Sequence, residues 1–371
     1  MDFELSEDQE LLRATVRRFL AEQAPIPYVR SLLDAERGTT DAVWSGLAGL
    51  GVVGLLAPES AGGAGMGMVE VGVVSEELGR AVHPGPYLAS AVGAVSLVTR
   101  AGSDDDRARL LPGLAGGTTV GTVALVEPGR HADPLAPETT ATPTGDAWAL
   151  TGTKVHVPDA VGADLILVPA RTDDAAVAVF AVEPGAPGVT VTSTATVDGT
   201  RKEATVALDG APARRLDGAD AAEALREVLD RLAVALVLDG VGAAERALEM
   251  AVEYAKERHQ FGQPIGAFQA VQHLCADMLR AVELGRAAGY YAAWACDAAD
   301  PAERHRAATI AQAFAADGFY GVGANAIQVF GGIGFTWEHD AHLVYKRLLT
   351  LQQAGGGRTR HLEELATLIL D

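Results

Sequence analysis

The chain has 371 residues, 49% of them hydrophobic and 21% charged, with a formal net charge of −20. That length and apolar content allow two or three packed layers or domains without covalent staples, and the acidic balance disfavours nucleic acid as a partner. Cys275 and Cys296 both sit in apolar helical surroundings and read as reduced core thiols of a cytoplasmic protein, with no metal or nucleophile role. The opening MDFELSEDQE is acidic and lacks an apolar run, so neither secretion nor a membrane span is expected.

Ser6 followed by Gln9 spells a capping box, and Leu12, Val16, Phe19 and Leu20 form one apolar face behind it. Further helices are expected at about 40–49, 67–79, 86–101 and 104–115, with ESAGGAGMG as a glycine loop between two of them. No GK[ST] accompanies that loop, so it reads as a flexible connection. Around Gly117 the period changes. TTVGTVALV, DAWALTGTKVHV, ADLILVPAR, AAVAVFAVE, VTVTSTATV and KEATVALDG are short, β-branched and separated by Gly, Pro and Asp. They predict a small β-barrel or sandwich. Long helices return at 219–257, 267–298 and 301–329, with short ones near 338–351 and 358–370. The fold class is therefore α+β: a helical domain over 1–117, a β domain over 118–215 and a helical domain over 216–371.

Two stretches organise the rest, YAKERHQFGQPIGAFQAVQ at 254–272 and QVFGGIGF at 328–335. A helix running to Glu257 places Arg258 at its carboxyl end, where the macrodipole favours a cation and a phosphate can be met. Gly262 and Pro264 break that helix, and Phe268, Val271, Leu274 and Met278 open the next. Gly331 and Gly332 remove side chains where a backbone or a flat ligand comes close, or simply form a tight helix–helix corner.

ERHQFGQPIGAFQ and QVFGGIGF closely resemble the carboxyl-terminal domain of the acyl-CoA dehydrogenase family. LSEDQELLRATVRRFL, GLGVVGLLAPESAGGAGMG and SEELGRAVHPGPYLASA extend the resemblance over the whole chain. It implies the order helices, β domain, four-helix bundle, and flavin adenine dinucleotide (FAD) as cofactor. It also implies α,β-dehydrogenation of a CoA or carrier-protein thioester, with an electron-transfer flavoprotein as acceptor. A homo- or hetero-oligomer, dimer or tetramer, is expected. By resemblance Arg258 would face the pyrophosphate, Gln260 and Phe261 the adenine half, and Gln328, Gly331 and Gly332 the other end of a flavin seated mainly in a neighbouring subunit. The bland alternative for Arg258 is a surface ion pair with Glu257 or Glu253.

Elsewhere the chain departs from the family pattern. LVEPGRHAD has Val126 where a threonine is expected and no serine after Gly129, and KVHVP has His156 for the usual tryptophan and Pro158 for a threonine. Val126 and Pro158 each remove a hydroxyl; His156 reads as a substituted packing residue or as an acid or base. The usual catalytic glutamate is absent, since LQQAGGGRTRH places Gly355, Gly356 and Gly357 there. The family's second placement falls at Leu232, leaving Asp239, two turns on, as the nearest carboxylate on that face. Glu338 and Asp340 read as caps of the helix after FTW. Short relatives lacking the glutamate resemble paired subunits of actinobacterial sterol side-chain degradation. Three readings follow: a subunit working with a complete paralogue, a self-sufficient flavoenzyme with a displaced base, or a non-enzymatic scaffold.

Overall fold

A computed structural model describes residues 4–129, 133–145, 147–173, 176–218 and 220–370. The chain forms two compact units. A helical unit gathers residues 1–30, 72–83 and 233–371, and a barrel unit gathers 31–71 and 84–232.

Helix α1 (Glu7–Gln23) starts on the expected capping box, Ser6 and Gln9 exchanging side-chain and backbone hydrogen bonds. Then come α2 (Ile26–Ser31), α3 (Asp41–Gly49) and α4 (Met68–Arg80). The stretch predicted as a helix over 86–101 divides into a π-helical segment, Tyr87–Ala94, and α5 (Val95–Ala101). Helix α6 (Asp104–Ala115) opens on a second capping box, Ser103 with Asp106.

The middle of the chain is a seven-stranded sheet: β1 (Gly121–Val123), β2 (Thr140–Thr144), β3 (Ala147–Pro158), β4 (Leu165–Arg171), β5 (Val177–Val182), β6 (Val189–Thr194) and β7 (Glu203–Arg215). Strands β4, β2, β3, β7 and β5 close into a ring, because β5 pairs back onto β4. β1 lies parallel to β4, and β6 lies antiparallel to β7. Closure removes free sheet edges. Inside pack Leu150, Ile166, Val168, Phe180, Val206 and Leu208, with Trp148 edge-on to Phe180 at 5.4 Å. The sequence reading missed β2.

Helix α7 (Ala221–Glu257) is continuous for 37 residues; position 219, its expected start, lies outside the described residues. A hairpin of β8 (His259–Gln260) and β9 (Gln263–Pro264) leads into α8 (Gln269–Ala298). Then follow α9 (Pro301–Phe330), α10 (Ala341–Gln353) and α11 (Gly357–Leu370). Asp300 caps α9 by accepting from Ala302 N and Glu303 N, with Pro301 at the first helical position. Within the helical unit α4 and α7 cross at backbone contact. A Cβ on Gly79 would sit 1.8 Å from Asp239 O, and one on Gly242 1.8 Å from Glu76 O. Around that crossing Arg17 holds both oxygens of the buried Glu77 at 2.7 Å, while Arg286 bridges Glu76 and Glu245.

The thiols differ from expectation in one respect: Cys296 is buried, but Cys275 is only half-buried, and burial still pushes its thiol up. No described helix is long and apolar enough to cross a membrane.

Candidate functional site

At the end of α7 Arg258 N donates to Tyr254 O at 2.8 Å, and Ile265 N donates to Arg258 O at 2.8 Å, which closes the short hairpin. Its two turn residues, Phe261 and Gly262, have φ of 52° and 82°. Positive φ at both central positions is what a two-residue type I′ turn requires. For glycine that is free; for an aromatic L-residue it costs about 1–2 kcal/mol. Phe261 is nevertheless 91% exposed, touching Phe268 edge-on at 6.0 Å. Arg258 and Gln260 are exposed beside it.

The ring of Tyr254 meets that of Phe330 at 5.2 Å, so the two motifs lie at one end of the helical unit. Gln328 is exposed in the last turn of α9, which Gly331 stops at φ 64°. A Cβ on Gly331 or Gly332 would meet nothing within 4 Å. Gly331 thus serves the corner by its backbone conformation, and among the described residues no neighbour fills the space beside Gly331 and Gly332, which is open to an outside group. An exposed guanidinium, a presented aromatic face and an unobstructed backbone suit a phosphate-bridged dinucleotide.

In the barrel unit, Val126 makes an isolated bridge to Val155, whose N–H donates to Val126 O at 2.9 Å. The next residue, Glu127, is buried with Lys154, whose Nζ lies 2.8 Å away. Burial alone would raise the Glu127 carboxyl. Donors from Lys154, Thr139 and the Glu138 and Thr139 amides outweigh it and bring the carboxyl from 4.5 down to about 2. His156 stands at the register shift between Lys154 and Val157, with φ 53°. Its side chain is 61% exposed, not packed into the barrel, and Nδ1 lies 2.7 Å from Glu203 Oε2. Pro158 offers only a carbonyl, which accepts from Thr122 Oγ1 at 2.5 Å. Residues 130–132, where the family pattern has its serine, lie outside the described residues.

Neither base placement holds a carboxylate. Leu232 is half-buried, its Cδ2 3.4 Å from where a Cβ on Gly93 of the π-helical segment would sit. Gly355, Gly356 and Gly357 have φ of 63°, 100° and 78°. A Cβ on Gly356 would lie 2.6 Å from Arg360 Cδ. A glutamate is strained there whatever space it finds.

Asp239 is not the free carboxylate that its helix face suggests. Arg347 Nε donates to its Oδ1 at 2.9 Å and Nη2 to its Oδ2 at 2.6 Å, both side chains being 2% exposed. Its oxygens anchor α10 to α7 and are not free to take a proton from substrate. Asp340 stands at the start of α10, but its side chain accepts from Arg30 at 2.9 and 2.6 Å, and Ala341 N goes to His339 Nδ1 instead.

Sequence reasoning passed over two buried groups. His361 lies with Nε2 3.0 Å from Ala354 O and its Nδ1 unpartnered among the described residues, and a Cβ on Gly355 would be 2.9 Å from its Cε1. Tyr87, in the π-helical segment, has a buried hydroxyl with no partner among the described residues, and burial pushes its phenol up. A tyrosine in an apolar run gives no signal of this kind, whereas π-helical turns often mark functional sites.

Comparison with known proteins places the whole chain in one family. The N-terminal, middle and C-terminal domains of acyl-CoA dehydrogenases match residues 6–118, 122–210 and 222–370. Acyl-CoA dehydrogenase IpdE2 of Mycobacterium tuberculosis is 31% identical over 344 residues, 92% of this chain and 91% of that protein. A variant of the Tcur3481-Tcur3483 steroid acyl-CoA dehydrogenase superposes with a TM-score of 0.90 at 34% identity, over 98% of each chain. The ChsE4-ChsE5 complex from Mycobacterium tuberculosis superposes with a TM-score of 0.91 at 31% identity, over 100% of this chain and 99% of that one. The chain belongs to the acyl-CoA dehydrogenase family, FAD-binding oxidoreductases that act on CH–CH donors.

Proposed function

We propose that the chain is a dehydrogenase subunit that acts on an acyl thioester, of CoA or a carrier protein, together with a catalytically complete paralogue. One observation carries this reading. The outward surface of Arg258, Phe261 and the open Gly332 is intact, while both positions for a base are empty of carboxylate. FAD, when bound, supplies the hydride acceptor. Toward it Arg258 would hold the pyrophosphate, with Gln260 and Phe261 beside the adenine half and Gln328, Gly331 and Gly332 at the other end. Val126 and His156 would line the ring side with less hydrogen bonding than hydroxyl residues give. A general base must reach the α-proton of the thioester, and in this reading the paralogue provides it. Helices α8 and α9 carry exposed Leu279, Leu284, Trp294 and Ile310, apolar surface suited to a dimer or tetramer contact. The ChsE4-ChsE5 neighbour is itself a complex of two chains. An electron-transfer flavoprotein is the proposed acceptor, and the cytoplasm the proposed location.

The test is the visible absorbance of purified protein. A colourless chain that turns yellow, and active, with a co-encoded paralogue supports the reading; a yellow, active homo-oligomer sinks it. A second reading, self-sufficiency with a displaced base, rests on His361, whose imidazole stands against Gly355. His361→Gln would abolish activity of the lone chain under that reading and leave the paired enzyme unaffected under the first.

A further inference from the structure

Among the described residues four non-glycines have positive φ, and Val82, at 48°, is the β-branched one. It stands just past the end of α4. Val82 N donates to Gly79 O at 2.9 Å and His83 N to Leu78 O at 2.8 Å, a helix stop at which glycine is usual. Glycine would meet the turn without strain. Valine meets it under strain, and its side chain forms part of the wall of a chamber of about 460 Å³ inside the helical unit. Strained positions of this sort gather at ligand sites, and the volume falls among small-molecule pockets, which span about 300–1,000 Å³.

The apolar wall also includes Leu20, Ala24, Ile26, Met250 and Val344. The charged groups around it differ in how firmly they are held. Arg17 is taken up by Glu77. Asp340 is taken up by Arg30. Arg80 holds both oxygens of Glu249, at 2.8 and 2.5 Å, and also donates to Glu245 at 3.0 Å. Arg246 reaches only the edge of that same carboxylate, at 3.5 Å, with its side chain 39% exposed. One guanidinium at the rim is thus poorly matched, beside an apolar volume with an opening.

We propose that this chamber binds an apolar monocarboxylate, its chain against Val82, Leu20 and Met250 and its head group on Arg246. A bidentate carboxylate would replace the weak edge contact with two charge-assisted hydrogen bonds. The site is separate from the dinucleotide surface: neither Arg258 nor the 328–332 turn lines it.

Decanoate is a suitable probe, with decan-1-ol as the uncharged control, each titrated calorimetrically into the full chain. Decanoate is expected to bind at one site per chain, and Arg246→Gln to weaken it at least about tenfold while leaving decan-1-ol unchanged. Met250→Trp should exclude both probes. Ala24→Leu is the milder filling variant, and circular dichroism confirms the fold of each. Arg258→Ala should bind decanoate as the unmodified chain does, which keeps this result independent of any flavin or thioester site. Absence of binding up to about 1 mM decanoate, or unchanged affinity in Arg246→Gln and in a folded filling variant, would overturn the proposal.

Discussion

Two segments of the helical unit run in left-handed backbone conformations, and they do opposite things with them. In the 259–264 hairpin the left-handed position is occupied by Phe261, a large side chain held outward under strain. In the 355–357 turn three glycines occupy such positions and present nothing. Strain that is tolerated marks a side chain with work to do against a second body; strain that has been removed marks a turn kept only for its path. In the proposed reading, the surface offered to the cofactor is the strained one and the glycine turn carries no acid–base group.

The sharpest way to break this comparison is to restore a base. In whichever assembly holds flavin, Leu232→Glu is expected to raise acyl-CoA oxidation by roughly 10²–10⁴-fold, the usual worth of a general base. Gly356→Glu should do far less, because φ of 100° and Arg360 oppose it. Equal rescue by both would show that the glycine turn adapts freely. High activity of the unaltered chain alone would show that no base is missing.

Next comes Asp239, the carboxylate that the helix face suggested as a base. Arg347→Ala, which takes the bidentate guanidinium from the buried Asp239 carboxylate, should lower stability by about 3–5 kcal/mol in urea unfolding. Asp239→Asn should also destabilise. If it instead silenced turnover in a fully stable protein, Asp239 would be the base after all.

The barrel side can be tested with protons. The folded carboxyl of Glu127 lies below its unfolded value of 4.5, at about 2. Its contribution is therefore complete above about pH 4.5 and is lost as the pH falls toward 2, on the order of 3 kcal/mol in all. Glu127→Gln should flatten that part of the stability–pH curve, and an unchanged acid limb would contradict the assignment.

Arg258→Ala is expected to weaken flavin retention by the worth of one charge-assisted contact, about 1.5–3 kcal/mol, with the fold intact. Unchanged flavin content would make the hairpin a relic. The smallest effect is the most direct reading of strain. Phe261→Gly should stabilise the isolated chain by up to about 1 kcal/mol and yet weaken cofactor or subunit association. A variant less stable in isolation would show that the ring already finds its support within the chain.

Most of the helices were legible because their 3–4 spacing and caps are local properties. Ser6 with Gln9, and Pro301 after Asp300, need no tertiary information. Strand β2, TATPT, has no apolar alternation and contains Pro143, so it is its pairing, chiefly to β3, that makes it a strand. The π-helical turn at 87–94 has no periodic signature either. At the site, the motifs marked which residues face outward, but not that Phe261 does so in a left-handed turn. Asp239 was misread because counting along a helix face cannot see Arg347, 108 residues away. His361 was missed for the same reason: what gives it interest is Gly355, against which the turn folds it.

The ring of strands is fastened unevenly. β4 and β2 share one registered pair, Thr140 with Arg171, next to the bond from Arg171 N to Thr139 O at 2.9 Å. Every other seam of the ring except β5–β7 runs for five or more pairs. Mechanically the barrel is a band closed by a clasp, and the clasp lies beside Glu127, which holds Thr139 by both its amide and its hydroxyl and joins it to Lys154 of β3. Under acid, pulling force or a cut at Glu127, the band should part between Thr139 and Arg171 first. Amide exchange would then begin at β2 and leave the long β3–β7 pairing for last.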